Sequence, residues 1–435
     1  MKLKSFSFIV SGVILAQILF SGCSNKLDKY PEGIPIQADV LSLDSASVND
    51  IGDEPKFVYG PKTFPQMNNL SNLSSPRFQM LQGGDLEVRE AVGSVITSSE
   101  FSGYTIPEIA YRNVNGVVKP SDSKSLLLLS ASYQFDTLID KIESLTGSTP
   151  QQFFDGFNTF SVLFHPSVVL RESDEQTRKY ENTNAAYVAG VKQFALFSVG
   201  KDERVSMTFN PQIISHEFGH AIFEKYFFNN KYERCNTSEF RTEKLFPGRI
   251  ENEYSIKGLN EGFADFVSFV WTGSSNILES SLGPQLITTE RNFSRAKFNY
   301  DDFSSKEGEI CQGRFYCVGT LWAKTLLDVF SSRSLDPKNS EQRQQFLREV
   351  VSLLPKVGAA LRDSEGKVLP DPDEKTSGCV NRDSLSPMMD GDVLTAFFVA
   401  LLNSTDPAVK KSYCTAIINN FGTSGFPISS RKVCQ

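Results

Sequence analysis

The chain's most constraining stretch is Asn210-Pro211-Gln212-Ile213-Ile214-Ser215-His216-Glu217-Phe218-Gly219-His220-Ala221, which contains His-Glu-x-x-His and uses two of only three histidines in 435 residues. Asn210 is a good N-cap and Pro211 suits the first helical position, so a helix is predicted to start there. From Ile213 to Phe228 apolar residues fall on nearly every side, as in a helix buried all round. Histidines four apart on such a helix are separated by about 6 Å along one face. Both imidazoles then reach a single tetrahedral ion, with Glu217 beside them at a distance suited to activating water.

Such an ion needs a third protein ligand. Glu261 and Asp265, in Leu259-Asn260-Glu261-Gly262-Phe263-Ala264-Asp265-Phe266, are also four apart, on a second predicted helix that runs to about Trp271. A Glu ligand with a carboxylate one turn on supplies a metal bond and an acceptor for a histidine N–H. Here the chain resembles the gluzincin metallopeptidases, of the thermolysin-like and fungalysin-like kinds, whose pattern is His-Glu-x-x-His followed by Asn/Gly-Glu-x-x-(Ser/Ala)-Asp. The resemblance implies an α+β fold of two lobes, a mixed-sheet lobe carrying the His-Glu-x-x-His helix and a mainly helical C-terminal lobe. It also implies one catalytic Zn2+ held by His216, His220 and Glu261, with Glu217 as general base. Asp265 would orient a liganding histidine, and Asn260 would support the site. Forty residues separate His220 from Glu261, longer than is usual in either family. Glu224 competes as third ligand but lies a full turn further along a straight helix, and reads as structural.

Three weaker matches extend the resemblance. Gly313-Arg314-Phe315-Tyr316-Cys317-Val318-Gly319-Thr320-Leu321-Trp322-Ala323 resembles the fungalysin-like segment in which a His, then Gly three residues on, then Trp-Ala opens a helix beside the zinc. Tyr316 stands where that His would be, and a phenol can donate the same hydrogen bond to an oxyanion. Arg314 is the second candidate for that role. Asn184-Ala185 resembles the edge-strand Asn-Ala that holds substrate backbone, and a plain turn and strand is the alternative. His165, before Pro166, has no ligand-spaced neighbours and reads as structural. The run Asp363 to Gly378 is acid-rich, and many thermolysin-like enzymes bind Ca2+. It lacks the Gly and closing Glu of an EF-hand loop and reads as solvated.

Lys2 and Lys4 precede an apolar run from Phe6 to Phe20 and then Ser21-Gly22-Cys23, the pattern of a bacterial export signal, too short to span a membrane. The small-small-Cys ending resembles a lipobox with lipid attached at Cys23, although Phe20 departs from the usual Leu and leaves a plain secretory cut as the alternative. Net charge −7 argues against nucleic acid as a partner. Six cysteines besides Cys23 (Cys235, Cys311, Cys317, Cys379, Cys414 and Cys434) suggest up to three disulfides in an exported chain. The expected organisation is a signal peptide at 1–22 and a flexible tether at 23–61. A β-containing region of unassigned role follows at 62–125, then the sheet lobe with the motif helix at 126–228 and a mainly helical lobe at 229–435.

The sequence therefore describes a monomeric zinc metallopeptidase acting on peptide or protein substrates, anchored by lipid to the cell envelope. Ser24 after the cysteine points to the outer membrane, periplasmic or surface-exposed; without the lipid the protein is secreted. Endopeptidase activity is favoured, since no Gly-x-Met-x-Asn stretch is present to grip a free α-amine. Two other classes stay open. One is a non-catalytic or latent surface lipoprotein that keeps the fold for binding, with residues 24–120 inhibitory in the latent case. The other is a zinc hydrolase of a non-peptide bond.

Overall fold

The computed structural model describes residues 35–44, 47–48, 50–91, 95–153, 160–171, 177–180, 185–188, 193–197, 206–227, 249–277, 281, 291–305, 314–361 and 393–435. They form an α+β structure of three four-stranded sheets and a large helical assembly. No described helix is long and apolar enough to cross a membrane. Cys23, Asn184, Cys235, Cys311, Cys379 and the acidic run at 363–378 lie outside the described residues, and with them the lipidation, Asn184 and calcium readings.

Strand β1 (Gln37–Asp44) pairs antiparallel with β2 (Lys56–Thr63). On its other side β1 meets β7 (Val117–Pro120) in parallel, and β7 pairs with β6 (Tyr111–Val114). Residues 37–44 and 56–61, expected within the flexible tether, are instead paired strand. Ile36, Ala38 and Val40 alternate into the core, where each is fully buried. Asp39 is itself buried, accepting a hydrogen bond from the Tyr59 hydroxyl at 3.2 Å with Lys119 Nζ at 3.6 Å.

The other two sheets share one interrupted ladder. β3 (Phe78–Gln82) runs parallel to β8 (Phe160–Phe164), and β4 (Asp85–Ala91) runs parallel to β9 (Ser167–Arg171) in the same register. Between them both strands kink, at Gly83-Gly84 and at His165-Pro166. Gly84 has φ +81°, and a Cβ there would stand 2.5 Å from the Ser102 carbonyl oxygen. His165 takes φ +56°, and its Nε2 is buried with no partner among the described residues. Burial, helped by Lys124, lowers its pKa to about 4, so the ring is neutral and structural. The stretch from Phe160 to Leu170, rich in Phe, Val and Leu, is thus two strands folded at the His-Pro step. β5 (Val95–Ser102) and β10 (Thr177–Tyr180) flank the β4–β9 pair. On the site side the order is β11 (Ala185–Val188), β12 (Gln193–Leu196), β8, β3, so β11 is an edge strand.

Helix α1 (Ser123–Asp140) packs on this sheet, capped by Asp122 accepting from Ser125 N. Two short helices follow, α2 (Ile142–Thr146), stopped by left-handed Gly147, and α3 (Pro150–Phe153). Phenylalanines join the layers. Phe135 of α1 meets Phe194 of β12 at 5.1 Å between ring centroids, and Phe194 stacks on Phe218 of the motif helix at 6.2 Å. Truncating any one of these rings to Ala would cost about 3–5 kcal/mol.

Asp136 on α1 ties that helix to the segment after β2. Its Oδ2 accepts from the backbone N–H groups of Gln66 (2.8 Å) and Met67 (3.0 Å), while Oδ1 is buried without a partner among the described residues. Burial outweighs those two bonds and raises the carboxyl to about 6. The folded state then holds this proton more tightly than the unfolded chain, so stability is lost as pH climbs from about 4 to about 6, by up to about 3 kcal/mol. In urea melts across that window the parent should lose stability relative to Asp136→Asn, and parallel profiles would overturn the assignment.

Candidate metal centre

The motif helix, α4 (Pro211–Phe227), is buried on nearly all sides. Gln212 N donates to Asn210 Oδ1 at 3.0 Å and Ile214 N to Asn210 O at 3.0 Å, so Asn210 caps the helix as its sequence position suggests. Beside it runs α5 (Arg249–Thr272), and across α5 lies α7 (Arg314–Ser332). α6 (Tyr300–Ser305) precedes α7.

Two contacts through small residues set the spacing of these helices. A Cβ on Gly219 would stand 2.5 Å from the Ala264 Cα, and one on Gly262 would overlap the Gly319 carbonyl. The backbones therefore touch where α4 meets α5 and where α5 meets α7. His216 and His220 flank Gly219, Glu261 adjoins Gly262, and Tyr316 precedes Gly319 by one turn. Close approach of the three backbones gathers these side chains at one point.

His216, Glu217 and His220 offer ligand atoms that all lie within 4.8 Å of one another, a group able to hold a metal ion. The two imidazoles are edge-to-face, 4.7 Å between centroids. His216 Nδ1 lies 2.8 Å from Asp265 Oδ1, and His216 Nε2 lies 3.4 Å from Glu261 Oε2. His220 Nδ1 lies 3.0 Å from Asn260 Oδ1. Each ring thus turns Nδ1 to an oxygen on α5 and keeps Nε2 for the centre. Two ligands bonded at about 2.0–2.1 Å to one tetrahedral ion stand about 3.4 Å apart, the separation of His216 Nε2 and Glu261 Oε2.

Glu217 receives the backbone N–H of Tyr187, on edge strand β11, at 2.7 Å. Burial raises its pKa, against the pull of the two histidines and that N–H. The Glu261 carboxyl is held well below the usual range, where the histidines and Arg291 outweigh burial. Burial works against the Asp265 charge as well, yet Arg291 and His216 together hold its carboxyl below the usual value. Burial works against a charged His216, yet the Asp265 and Glu261 carboxylates push it up to about 10. That balance expresses an excess of buried negative charge. Among the described residues three carboxylates face one guanidinium, a deficit that a divalent cation fits.

Arg291 has no counterpart in the sequence reading. It is buried, and its Nε and one terminal nitrogen bond both oxygens of Asp265, at 3.0 and 2.6 Å. The same terminal nitrogen is 3.7 Å from Glu261 Oε2, and the guanidinium lies over the Tyr316 ring, 4.8 Å from its centroid. Burial, with the Glu261 charge adding to it, raises the Tyr316 pKa, so the phenol keeps its proton as a donor. Arg314 opens α7, and its side chain is not among those described. Ala185 begins β11. Glu224 is buried in α4 and, like Glu261, is not one of the three residues of the group of ligand atoms. Cys414 and Cys434 form a disulfide, and Cys317 on α7 is disulfide-bonded too.

No known protein family matches the sequence, and no curated protein matches it.

Removing the guanidinium leaves Asp265 as a buried charge without its partner. Arg291→Met should therefore cost about 3–5 kcal/mol in urea unfolding of the metal-free protein. Arg291→Met combined with Asp265→Leu should cost less than Arg291→Met alone. Equal or larger loss in the double variant would show that the pair does not carry the stability assigned to it.

Proposed function

We propose that this protein is a zinc-dependent peptidase of the gluzincin kind, with His216, His220 and Glu261 as metal ligands and Glu217 as general base. The observation that carries the reading is the division of labour at the histidines. His216 Nδ1 lies 2.8 Å from Asp265 Oδ1 and His220 Nδ1 3.0 Å from Asn260 Oδ1, both on α5, and His216 Nε2 stands one tetrahedral edge from Glu261 Oε2. Nitrogen and carboxylate donors on a buried, net-negative site favour zinc among the common divalent ions.

When bound, zinc polarises the scissile carbonyl and acidifies a water molecule. The other steps belong to the chain's own residues. Glu217, a carboxylate with a raised pKa, accepts the water's proton as the oxygen attacks the carbonyl carbon. It then delivers that proton to the amine as the C–N bond breaks. The Tyr187 N–H holds the carboxylate in place for both transfers. Tyr316 donates its hydroxyl proton in a hydrogen bond to the carbonyl oxygen as charge gathers there. Among the described residues β11 is the last strand in its sheet's order, and its Tyr187 N–H meets Glu217, so an extended substrate backbone would lie alongside this strand to reach the base. Lipid attachment at Cys23 would hold this enzyme at the envelope.

Metal analysis of the chain starting at Ser24 should find one zinc per molecule, with hydrolysis of casein or a fluorogenic peptide. Glu217→Gln should keep the zinc and lose at least about a hundredfold in rate. A chain that takes up no zinc overturns the reading, as does a Glu217→Gln variant that stays active.

Tyr316→Phe removes the donor and keeps the ring against Arg291. It should lower kcat by about 10²–10³ with KM within a few-fold. A kcat unchanged in that variant would remove Tyr316 from the mechanism and leave Arg314 to be tested.

A further inference from the structure

Arg291 anchors the second carboxylate of the site, so whatever fixes Arg291 bears on the centre. Its next neighbour, Asn292, is buried and forms an isolated antiparallel bridge with Asn276. Asn292 Nδ2 donates to the Gly52 carbonyl at 2.9 Å. Ser275 N donates to the Ile51 carbonyl at 2.6 Å, and its hydroxyl lies 3.0 Å from that oxygen and 3.0 Å from Asn292 Oδ1. Ser274 Oγ donates to the Asp53 carbonyl at 2.8 Å, and Arg295 pairs with the Asp53 carboxylate at 3.1 Å. Three consecutive carbonyls, of Ile51, Gly52 and Asp53, are thus read by side chains more than two hundred residues away in sequence.

The turn is built for this seat. Asp50 N donates to Asp53 Oδ2 at 2.9 Å and Gly52 N to Asp50 Oδ1 at 3.0 Å, which closes the turn on itself. A Cβ on Gly52 would stand 2.5 Å from Arg295 Nε and 3.1 Å from Ser294 Oγ. From Asn276 the network continues to the metal helix, where Gln212 Nε2 donates to the Asn276 carbonyl at 2.6 Å, one turn before His216.

We propose that the Ile51–Asp53 turn is an intramolecular latch whose seating, read by Asn292 and Ser275, positions Arg291 and through it the Asp265–His216 pair. This inference rests on the peptidase reading and deepens it. Asn292 and Ser275 are positioning residues, without contact to substrate or metal. The segment before β2 becomes a working part of the centre, the opposite of an inhibitory N-terminal piece. Loss of the latch lets the Arg291 backbone shift, which relaxes the clamp on Asp265 and frees the His216 ring to turn.

The test compares Asn292→Ala with Asn420→Ala. Asn420 is equally buried and bonds Thr325 Oγ1 and Asp328 Oδ2, remote from the centre. Zinc affinity is measured by chelator competition well below the unfolding temperature, kcat and KM with a fluorogenic peptide, and the His216 imidazole nitrogen shifts by NMR. With three histidines in the chain those shifts are readily assigned. The expected result is a zinc affinity lowered about tenfold and a kcat lowered about tenfold in Asn292→Ala, with a displaced His216 Nδ1 signal. Asn420→Ala should match the parent in all three, and Asn292→Gln should recover part of the loss. If Asn292→Ala and Asn420→Ala behave alike in a parent that binds zinc and cleaves peptide, the latch is overturned and the peptidase reading stands. A parent that binds no zinc overturns both.

Discussion

Close backbone contact between three helices is the constraint on which the candidate centre depends. Helices with ordinary side chains at their crossing lie 8–10 Å apart, and ligands projecting from them meet only if the chain is long enough to bridge. Here Gly219 against Ala264 and Gly262 against Gly319 remove the intervening side chains. Short acceptors on α5, Asp265 and Asn260, can then touch rings on α4, and Tyr316 on α7 can reach the same point. A methyl group at Gly262 would push α7 away from α5 and carry Tyr316 with it. The glycines thus decide the geometry, while the histidines and carboxylates decide its chemistry.

That closeness creates an electrostatic problem. Glu217, Glu261 and Asp265 lie close together, and among the described residues the guanidinium of Arg291 answers their mutual repulsion in a poorly solvated site. Without a metal His216 shares the answer by taking up a proton, as its elevated pKa expresses. A cation bound at the same point supplies that charge and displaces those protons, so metal uptake and proton release are two descriptions of one balance. Surrounding the charged centre is a shell of neutral groups, among them Asn210, Gln212, Ser275, Asn276 and Asn292. Neutral amides and hydroxyls can bond one another in the interior at modest cost, whereas further charges would each need a partner of their own.

Much of this centre was legible because helices write geometry into spacing. His216 and His220, and Glu261 and Asp265, are pairs four apart, and that interval already places each pair on one helical face. Asn210-Pro211 announced the start of α4. What could not be read was whatever depends on long-range closure. Arg291 is 26 residues from Asp265, in a segment of no periodic pattern, and nothing in its neighbours marks it as buried. β1 escaped notice for a related reason. Its inward residues are few and small, and Asp39, which looks like solvent-exposed tether, is buried by strands the sequence places far away. The fold of the Phe160 to Leu170 run at His165 was hidden because an apolar run does not record where a strand bends, although Pro166 hinted at the step.

The latch and the glycine contacts address different degrees of freedom. Helix contact fixes how far α4, α5 and α7 stand from one another, but a helix can still carry a mobile side chain. His216 and Asp265 are restrained by their own helices only up to rotation about their side-chain bonds. A fork that bonds both oxygens of Asp265 removes that last freedom, because two parallel hydrogen bonds define a plane where one would define only a distance. The fork is useful only if its own backbone is held, and the Arg291 backbone is not part of a helix. Asn292 and Ser275 provide that hold by bonding carbonyls of an N-terminal turn. A turn whose carbonyls point outward supplies acceptors without any side chain of its own, and a buried Asn supplies a donor and an acceptor in one plane. The centre is therefore completed from both ends of the described chain order, with chemistry on helices and restraint from a segment that precedes every helix.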